Sequence, residues 1–291
     1  MASDRKKGVP IYHVDAFTDE PFRGNPAAVC LLKREYGDQI LQSIAVEMNL
    51  SETAFLYCPR QESFRDSESF SLRWFTPKTE VPLCGHATLA MAAVLFFDIE
   101  VLTAEIGFET KSGRLTAKRE GNQILLDFPG HETVHADPPM DLLKAMGITR
   151  FKDVRFSQKM KSLLIHLPNE EILANLEPDF ERMKSAIAEE DIIGVIVTSK
   201  GHSPYDFVSR FFAPWVGINE DPVTGAAHTV LGPFWSRILG KNEMLAYQAS
   251  SRGGTLIARL SANNRVNLME MQSLYQKESC TCNRCPRTQG E

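Results

Sequence analysis

The sequence predicts a two-domain protein of mixed strands and helices, built from one strand–turn–helix unit used twice. Three observations carry this reading. The chain has 291 residues, enough for two domains at roughly 150 residues each. Strand and helix periodicities interleave along it. A short motif in the first half recurs, in order, in the second.

Residues 11–17 read as a strand and Gly24-Asn25-Pro26 as a turn. Residues 38–48 place Ile40, Leu41, Ile44, Ala45 and Met48 at helical spacing. Residues 70–75 alternate like a strand. Residues 87–97 are too long and too apolar for anything but a buried helix. Strand-like runs follow at 105–110, 113–119 and 123–128, closed by Pro129-Gly130. Residues 130–139 hold two prolines and little hydrophobicity, which puts a domain boundary there. The expected organisation is a first domain over 8–129, a second over 130–268, and an atypical tail over 269–291. In the second domain, 140–146 and 177–188 read as helices, and 162–167 and 194–198 as strands.

The repeat is the most informative feature. Glu80, Pro82 and Gly85 align with Glu220, Pro222 and Gly225, each offset by 140. Upstream, Arg73-Trp74-Phe75-Thr76-Pro77 aligns with Arg210-Phe211-Phe212-Ala213-Pro214 at an offset of 137. The difference is three residues inserted between Pro214 and Glu220. Chance likeness of two strand–turn–helix units is the competing explanation; two ordered matches favour duplication. Each glycine lets backbone approach a ligand, and the unpaired amides of the helix start behind it suit a carboxylate. Two such starts predict an interdomain cleft that grips an acidic small molecule.

Where the copies differ, chemistry is expected. His86 faces Ala226, Cys84 faces Thr224, and Val81 faces Asp221. Two readings stand for each. His86 is a cleft imidazole or a helix-start residue bonded to a carbonyl. Asp221 is a cleft carboxylate or a turn residue before proline. Cys84 is a reactive thiol or small buried filler.

Composition narrows the function classes. Net charge is −5, without the basic excess of a polyanion binder, so no nucleic-acid partner is expected. The longest apolar run, 89–97, is nine residues, far below the roughly 20 of a membrane span. The polar first ten residues show no secretory signal, and Cys30, Cys58 and Cys84 are too scattered for a disulfide framework. Both features fit a reducing cytosol. Cys280, Cys282 and Cys285 form a C-x-C-x-x-C run in the tail, but no fourth ligand follows and the nearest upstream histidine is His228. An unstructured tail is favoured there over a zinc site. There is no glycine-rich nucleotide loop.

Five motifs occur in order: Gly24-Asn25-Pro26-Ala27-Ala28-Val29, Asn49-Leu50-Ser51-Glu52-Thr53-Ala54-Phe55, Trp74-Phe75-Thr76-Pro77, Glu80-Val81-Pro82-Leu83-Cys84-Gly85-His86-Ala87-Thr88 and Glu220-Asp221-Pro222-Val223-Thr224-Gly225. Over roughly residues 9–268 the chain resembles the PhzF-type phenazine biosynthesis-like isomerase/epimerase family, closely so its animal members. The resemblance implies an α+β, diaminopimelate-epimerase-like fold: two similar domains, each a barrel-like sheet around a central helix. It implies a cofactor-independent isomerase, with no metal, acting on a small carboxylic acid. Glu52 would be the acid/base that moves a proton on carbon; His86 and Asp221 would hold substrate and assist. Ser51, Gly85, Thr224, Gly225 and Ala226 would line the substrate site. A homodimer is implied by the resemblance only.

Departures matter as well. In related racemases two cysteines pass the proton across the substrate, whereas Thr224 replaces one here, so two-cysteine racemisation is disfavoured. The family's usual serine is Ala226, which removes one hydroxyl. After Leu268 the usual apolar strand gives way to a polar tail, predicting an exposed sheet edge and disorder beyond about Gln276. Two rival readings follow: a catalytically silent binding or scaffold protein that keeps the fold, and a Cys84-dependent racemase or dehydratase.

Overall fold

The computed structural model describes residues 9–59, 63–188, 192–271 and 275–276. In chain order the elements open with β1 (Ile11–Ala16), β2 (Asn25–Leu32), α1 (Asp38–Met48), β3 (Glu52–Tyr57), β4 (Ser69–Phe75) and β5 (Glu80–Val81). There follow α2 (Gly85–Ala93), β6 (Glu105–Thr110), β7 (Gly113–Glu120), β8 (Gln123–Pro129), β9 (Val134–His135) and α3 (Met140–Ala145). Next come β10 (Asp153–Ser157), β11 (Ser162–His166), α4 (Glu170–Ala174), α5 (Phe180–Ala186), β12 (Gly194–Lys200) and β13 (Phe207–Ala213). The chain closes with β14 (Ile218–Asp221), α6 (Gly225–Leu239), β15 (Glu243–Gln248), β16 (Gly254–Ser261), β17 (Arg265–Met271) and β18 (Tyr275–Gln276).

The chain divides into two compact units. Among the described residues the first holds 9–16, 26–120 and 275–276; the second holds 17–25 and 121–271.

In the first unit β2 runs parallel to β3, β3 antiparallel to β4, β4 parallel to β6, and β6 antiparallel to β7. The second repeats this order: β11 parallel to β12, β12 antiparallel to β13, β13 parallel to β15, and β15 antiparallel to β16. Register is preserved too. Trp74 faces Val81 as Phe211 faces Asp221, and Phe70 faces Phe108 as Phe207 faces Ala246. The three extra residues of the second copy fall between Pro214 and Glu220, where the chain makes a 3-10 turn, Pro214–Val216, closed by Gly217 in the left-handed region at φ 86°. The duplication read from sequence is thus a duplication of topology.

A largely buried helix packs against the strands of each unit. Every residue from 86 to 93 of α2 is buried, and α2 packs on β1 and β3. Its composition explains this, since a helix apolar on all sides has no solvent face to offer. The helix expected over 87–97 starts two residues earlier, at Gly85, and changes to a π turn at Val94–Asp98. Helix α6 packs on β15, β16 and β17.

Other expectations need correction. Gly24 does turn, at φ 64°, but Asn25 and Pro26 already belong to β2. The helix expected over 177–188 spans only Phe180–Ala186, because Asp179 caps it, accepting from the Arg182 amide at 3.0 Å. Strand β17 continues three residues past Leu268, paired with β16 on one side and with β8 through Met271 on the other. Tyr275–Gln276 pairs with β1. The expected disorder over 277–291, with its three cysteines, lies outside the described residues. Among the described residues no helix is long and apolar enough to cross a membrane.

Candidate active site

In the first unit, Asn49 ends α1 in the left-handed region at φ 50°, and the chain turns through half-buried Ser51 into β3. Glu52 is therefore the first residue of a strand against which α2 packs. Cys84 is the N-cap of α2, Gly85 its first residue and His86 its second. The two polar ends meet. His86 Nε2 lies 3.3 Å from Glu52 Oε2, their side chains only 8% and 13% exposed. The contact is close without hydrogen-bond alignment at Nε2. On the other edge of the ring, Nδ1 lies 3.5 Å from Cys84 Sγ. Burial pushes the His86 pKa down to about 4, so the ring is neutral at pH 7.

The second unit builds a different constellation at the matching place. Thr224 is the N-cap of α6, with an extended backbone like that of Cys84. Its hydroxyl donates to Asp221 Oδ2 at 2.5 Å and accepts from Gln248 Nε2 at 3.1 Å. Its amide donates to Gln248 Oε1 at 2.9 Å, and Gln248 Nε2 also donates to the Asp221 carbonyl at 2.8 Å. Asn25 Nδ2 donates to Asp221 Oδ1 at 2.9 Å and to the Val223 carbonyl at 2.8 Å. Burial raises the Asp221 pKa to about 6, against the opposing pull of the Thr224 and Asn25 hydrogen bonds. Gly225 and Ala226 form the first turn of α6.

Both caps are tied down alike. The Thr88 hydroxyl donates to the Cys84 carbonyl at 2.5 Å, and His228 Nδ1 donates to the Thr224 carbonyl at 2.8 Å. Residues 88 and 228 are 140 apart, the offset of the repeat.

Each unit thus gathers its own sequence-predicted residues: Glu52, Cys84 and His86 in one, Asp221 and Thr224 in the other. Sequence reasoning assigned no role to Asn25 and Gln248, the fully buried amides that hold Asp221 and Thr224. The Asn25 signal was present, inside the Gly-Asn-Pro motif, whereas nothing in sequence distinguishes Gln248. A cavity of about 580 Å³ in the second unit, walled by the stacked rings of Tyr205 and Tyr247, contains none of these acid–base residues.

The family model for phenazine biosynthesis-like proteins matches residues 14–273. Phenazine biosynthesis-like domain-containing protein 1 of Mus musculus is 48% identical over 272 residues, covering 89% of this chain and 94% of that protein. A protein of Halalkalibacterium halodurans named as an uncharacterized isomerase is 49% identical over 264 residues, with the same coverage. The crystal structure of a PhzF-family phenazine biosynthesis protein from Enterococcus faecalis superposes with a TM-score of 0.81 at 40% identity, covering 92% of this chain and 96% of that one. A likeness of fold alone extends to the structure of a protein named as a probable proline racemase from Agrobacterium radiobacter, TM-score 0.57 at 10% identity, covering 93% of this chain and 91% of that one. Duplicated topology, ordered motifs and near full-length identity agree: the chain belongs to the phenazine biosynthesis-like protein family.

Proposed function

We propose that this protein is an isomerase that moves a proton on carbon of a small carboxylic acid, with Glu52 as the acid/base. The observation that carries the reading is the nearly buried Glu52 carboxylate beside the His86 imidazole, 3.3 Å apart at a helix start. The isomerase name of the Halalkalibacterium relative supports the reaction class.

In this reading Glu52 takes a proton from carbon next to a carboxylate, or from a dienyl acid, and returns it to a different carbon. Negative charge developing on the substrate is met by the oriented amides at the start of α2, the helix that carries His86. His86, being neutral, offers one N–H and one lone pair and adds no competing positive charge. Asp221 holds the substrate. No cofactor is asked for, because the proton leaves and returns through one carboxylate. Thr224 is not a second base: its hydroxyl already donates to Asp221, and a hydroxyl is too weak an acid for the exchange.

The test is deuterium incorporation from heavy water into a panel of small carboxylic acids. Glu52→Gln should keep ligand binding and lower exchange by at least about 10²-fold, the lower range for a lost acid/base. Undiminished exchange in that variant would remove Glu52 from the mechanism. Exchange into no acid of the panel, with binding retained, would favour the scaffold reading.

A further inference from the structure

We propose that Glu52, Cys84 and His86 form a binding site for a thiophilic divalent cation, zinc above all, and that the bound ion blocks the proton transfer. The blocking half of this proposal rests on the acid/base reading of Glu52; the metal site does not.

The three side chains present one thiol sulfur, one imidazole nitrogen and one carboxylate oxygen, all within 4.8 Å of one another. Sulfur with nitrogen and oxygen is the donor mixture that zinc takes in preference to magnesium or calcium. The spacing is near that of a closed site and reaches it by a side-chain rotation. With Zn–S near 2.3 Å and Zn–N and Zn–O near 2.0–2.2 Å, tetrahedral edges run about 3.3–3.6 Å. The thiol and the carboxylate stand 3.5 Å and 3.3 Å from the two ring nitrogens. One nitrogen must serve both edges, so closure requires rotation of the ring or of the Glu52 carboxylate, with water as fourth ligand.

The cation suits the electrostatics of this place. The thiol releases its proton to solvent on binding, so thiolate and carboxylate together cancel the ion's two charges. Cys84 and His86 sit at the start of α2 and Glu52 at the start of β3. Cys84 is held by its carbonyl to Thr88, and Glu52 by the parallel pairing of β3 with β2. The second copy lacks such a donor set, since Thr224 and Ala226 stand where Cys84 and His86 do in the first. A bound ion would occupy the carboxylate that the reaction needs free.

Cobalt(II) reports on this site independently of catalysis. The full chain is used with Cys280, Cys282 and Cys285 changed to serine, so that the tail run cannot contribute. One equivalent of cobalt should produce a thiolate-to-cobalt charge-transfer band and visible absorption of tetrahedral intensity, both displaced by zinc. Cys84→Ser should abolish the charge-transfer band, and His86→Gln should weaken binding at least tenfold, with melting curves confirming that each variant is folded. Zinc should also slow alkylation of Cys84 in the parent, read by peptide mass spectrometry, which requires no site variant. Absence of the band, or a band unchanged in Cys84→Ser, overturns the site, as does alkylation indifferent to zinc. One equivalent of zinc should suppress deuterium exchange and a chelator restore it. A Cys84-dependent band with exchange unaffected by zinc upholds the site and overturns the blocking, while the Glu52 acid/base reading falls only if Glu52→Gln exchanges at the parent rate.

Discussion

Arg210 holds Glu220 through two parallel hydrogen bonds, Nε to Oε1 at 2.7 Å and Nη2 to Oε2 at 2.9 Å. Arg73 holds Glu80 by the same two atoms, each at 2.8 Å. Each guanidinium also lies over the ring two residues on, Phe212 at 4.9 Å and Phe75 at 5.1 Å. In each copy the pair ties the strand before the helix to the short strand that leads into it. The arginine partner holds the Glu80 carboxyl below its ordinary pKa, with Lys111 adding to the effect.

Replacing Arg210 by methionine should therefore destabilise the fold through its stranded glutamate, by about 3 kcal/mol for such a pair, whereas in Arg73→Met Lys111 still pairs with Glu80. The two costs should differ. Arg210 Nη1 also donates to the carbonyls of Leu173 and Leu176 at 3.2 and 2.8 Å, whereas Arg73 adds only Asp38, whose side chain is 76% exposed. Arg210→Met should lower the melting temperature by more than Arg73→Met. Equal shifts would mean that neither the two carbonyl bonds nor the stranding of Glu220 contributes anything net.

These pairs also mark what sequence could reveal. Identity of residue type at Arg73/Arg210 and Glu80/Glu220 exposed the repeat, because an ion pair constrains both partners and leaves both visible. The helix starts at Gly85 and Gly225 were legible for the same reason. Glu52 was not: a glutamate after serine looks like a solvated cap, and only the motif resemblance singled it out. Asn25 reaches Asp221 across 196 residues of chain, a pairing that no local periodicity encodes. Residues 269–271 looked like the start of a polar tail because Glu270 is charged. In the fold Glu270 is buried and accepts from the Phe17 and Thr18 amides, so the strand continues through it.

Asp221 gives a pH signature. Its pKa is about 6 in the fold, raised by burial from 3.8. The folded chain therefore holds this proton more tightly, and the group's contribution to stability falls as pH rises from 3.8 through 6, by about 3 kcal/mol. Asn25→Ala removes a donor that favours the carboxylate, moving the pKa further up. The variant should be destabilised by about 1–3 kcal/mol at pH 8 and by less at pH 4. Urea melts across that range test it; a deficit independent of pH would show that the Asn25 bond does not reach the ionisation of Asp221.

His228 acts in the opposite direction. It is fully buried, and burial lowers its pKa from 6.5 to about 4, its bond to the Thr224 carbonyl opposing only in part. The unfolded chain takes up this proton first, so stability is lost as pH falls from 6.5 toward 4, by up to about 3 kcal/mol. His228→Thr installs the residue of the matching position 88, whose hydroxyl makes the same bond to its cap carbonyl. The variant should lose some stability at pH 7.5 from the smaller side chain, yet show a shallower decline between pH 6.5 and 4. An unchanged acid slope would assign that decline to other groups.

Gly254 tests how the segment carrying Asn25 is positioned. That segment is pinned to the start of β16: the Gly24 amide donates to the Gly253 carbonyl at 2.8 Å, and the Thr255 amide to the Phe17 carbonyl at 2.9 Å. A Cβ at Gly254 would run into the Val223 side chain and lie 2.8 Å from the Phe17 carbonyl oxygen. Val223 has room to turn only at the cost of its own packing, since it is fully buried, and the carbonyl is backbone already engaged with Thr255. Gly254→Ala should therefore push residues 17–25 off β16 and pull Asn25 away from Asp221. The expected loss is about 2 kcal/mol from overpacking, with deuterium exchange falling further than the same loss of stability produces in Arg73→Met. If Gly254→Ala melts at the parent temperature and exchanges at the parent rate, the segment yields freely and Asn25 is not positioned by this contact.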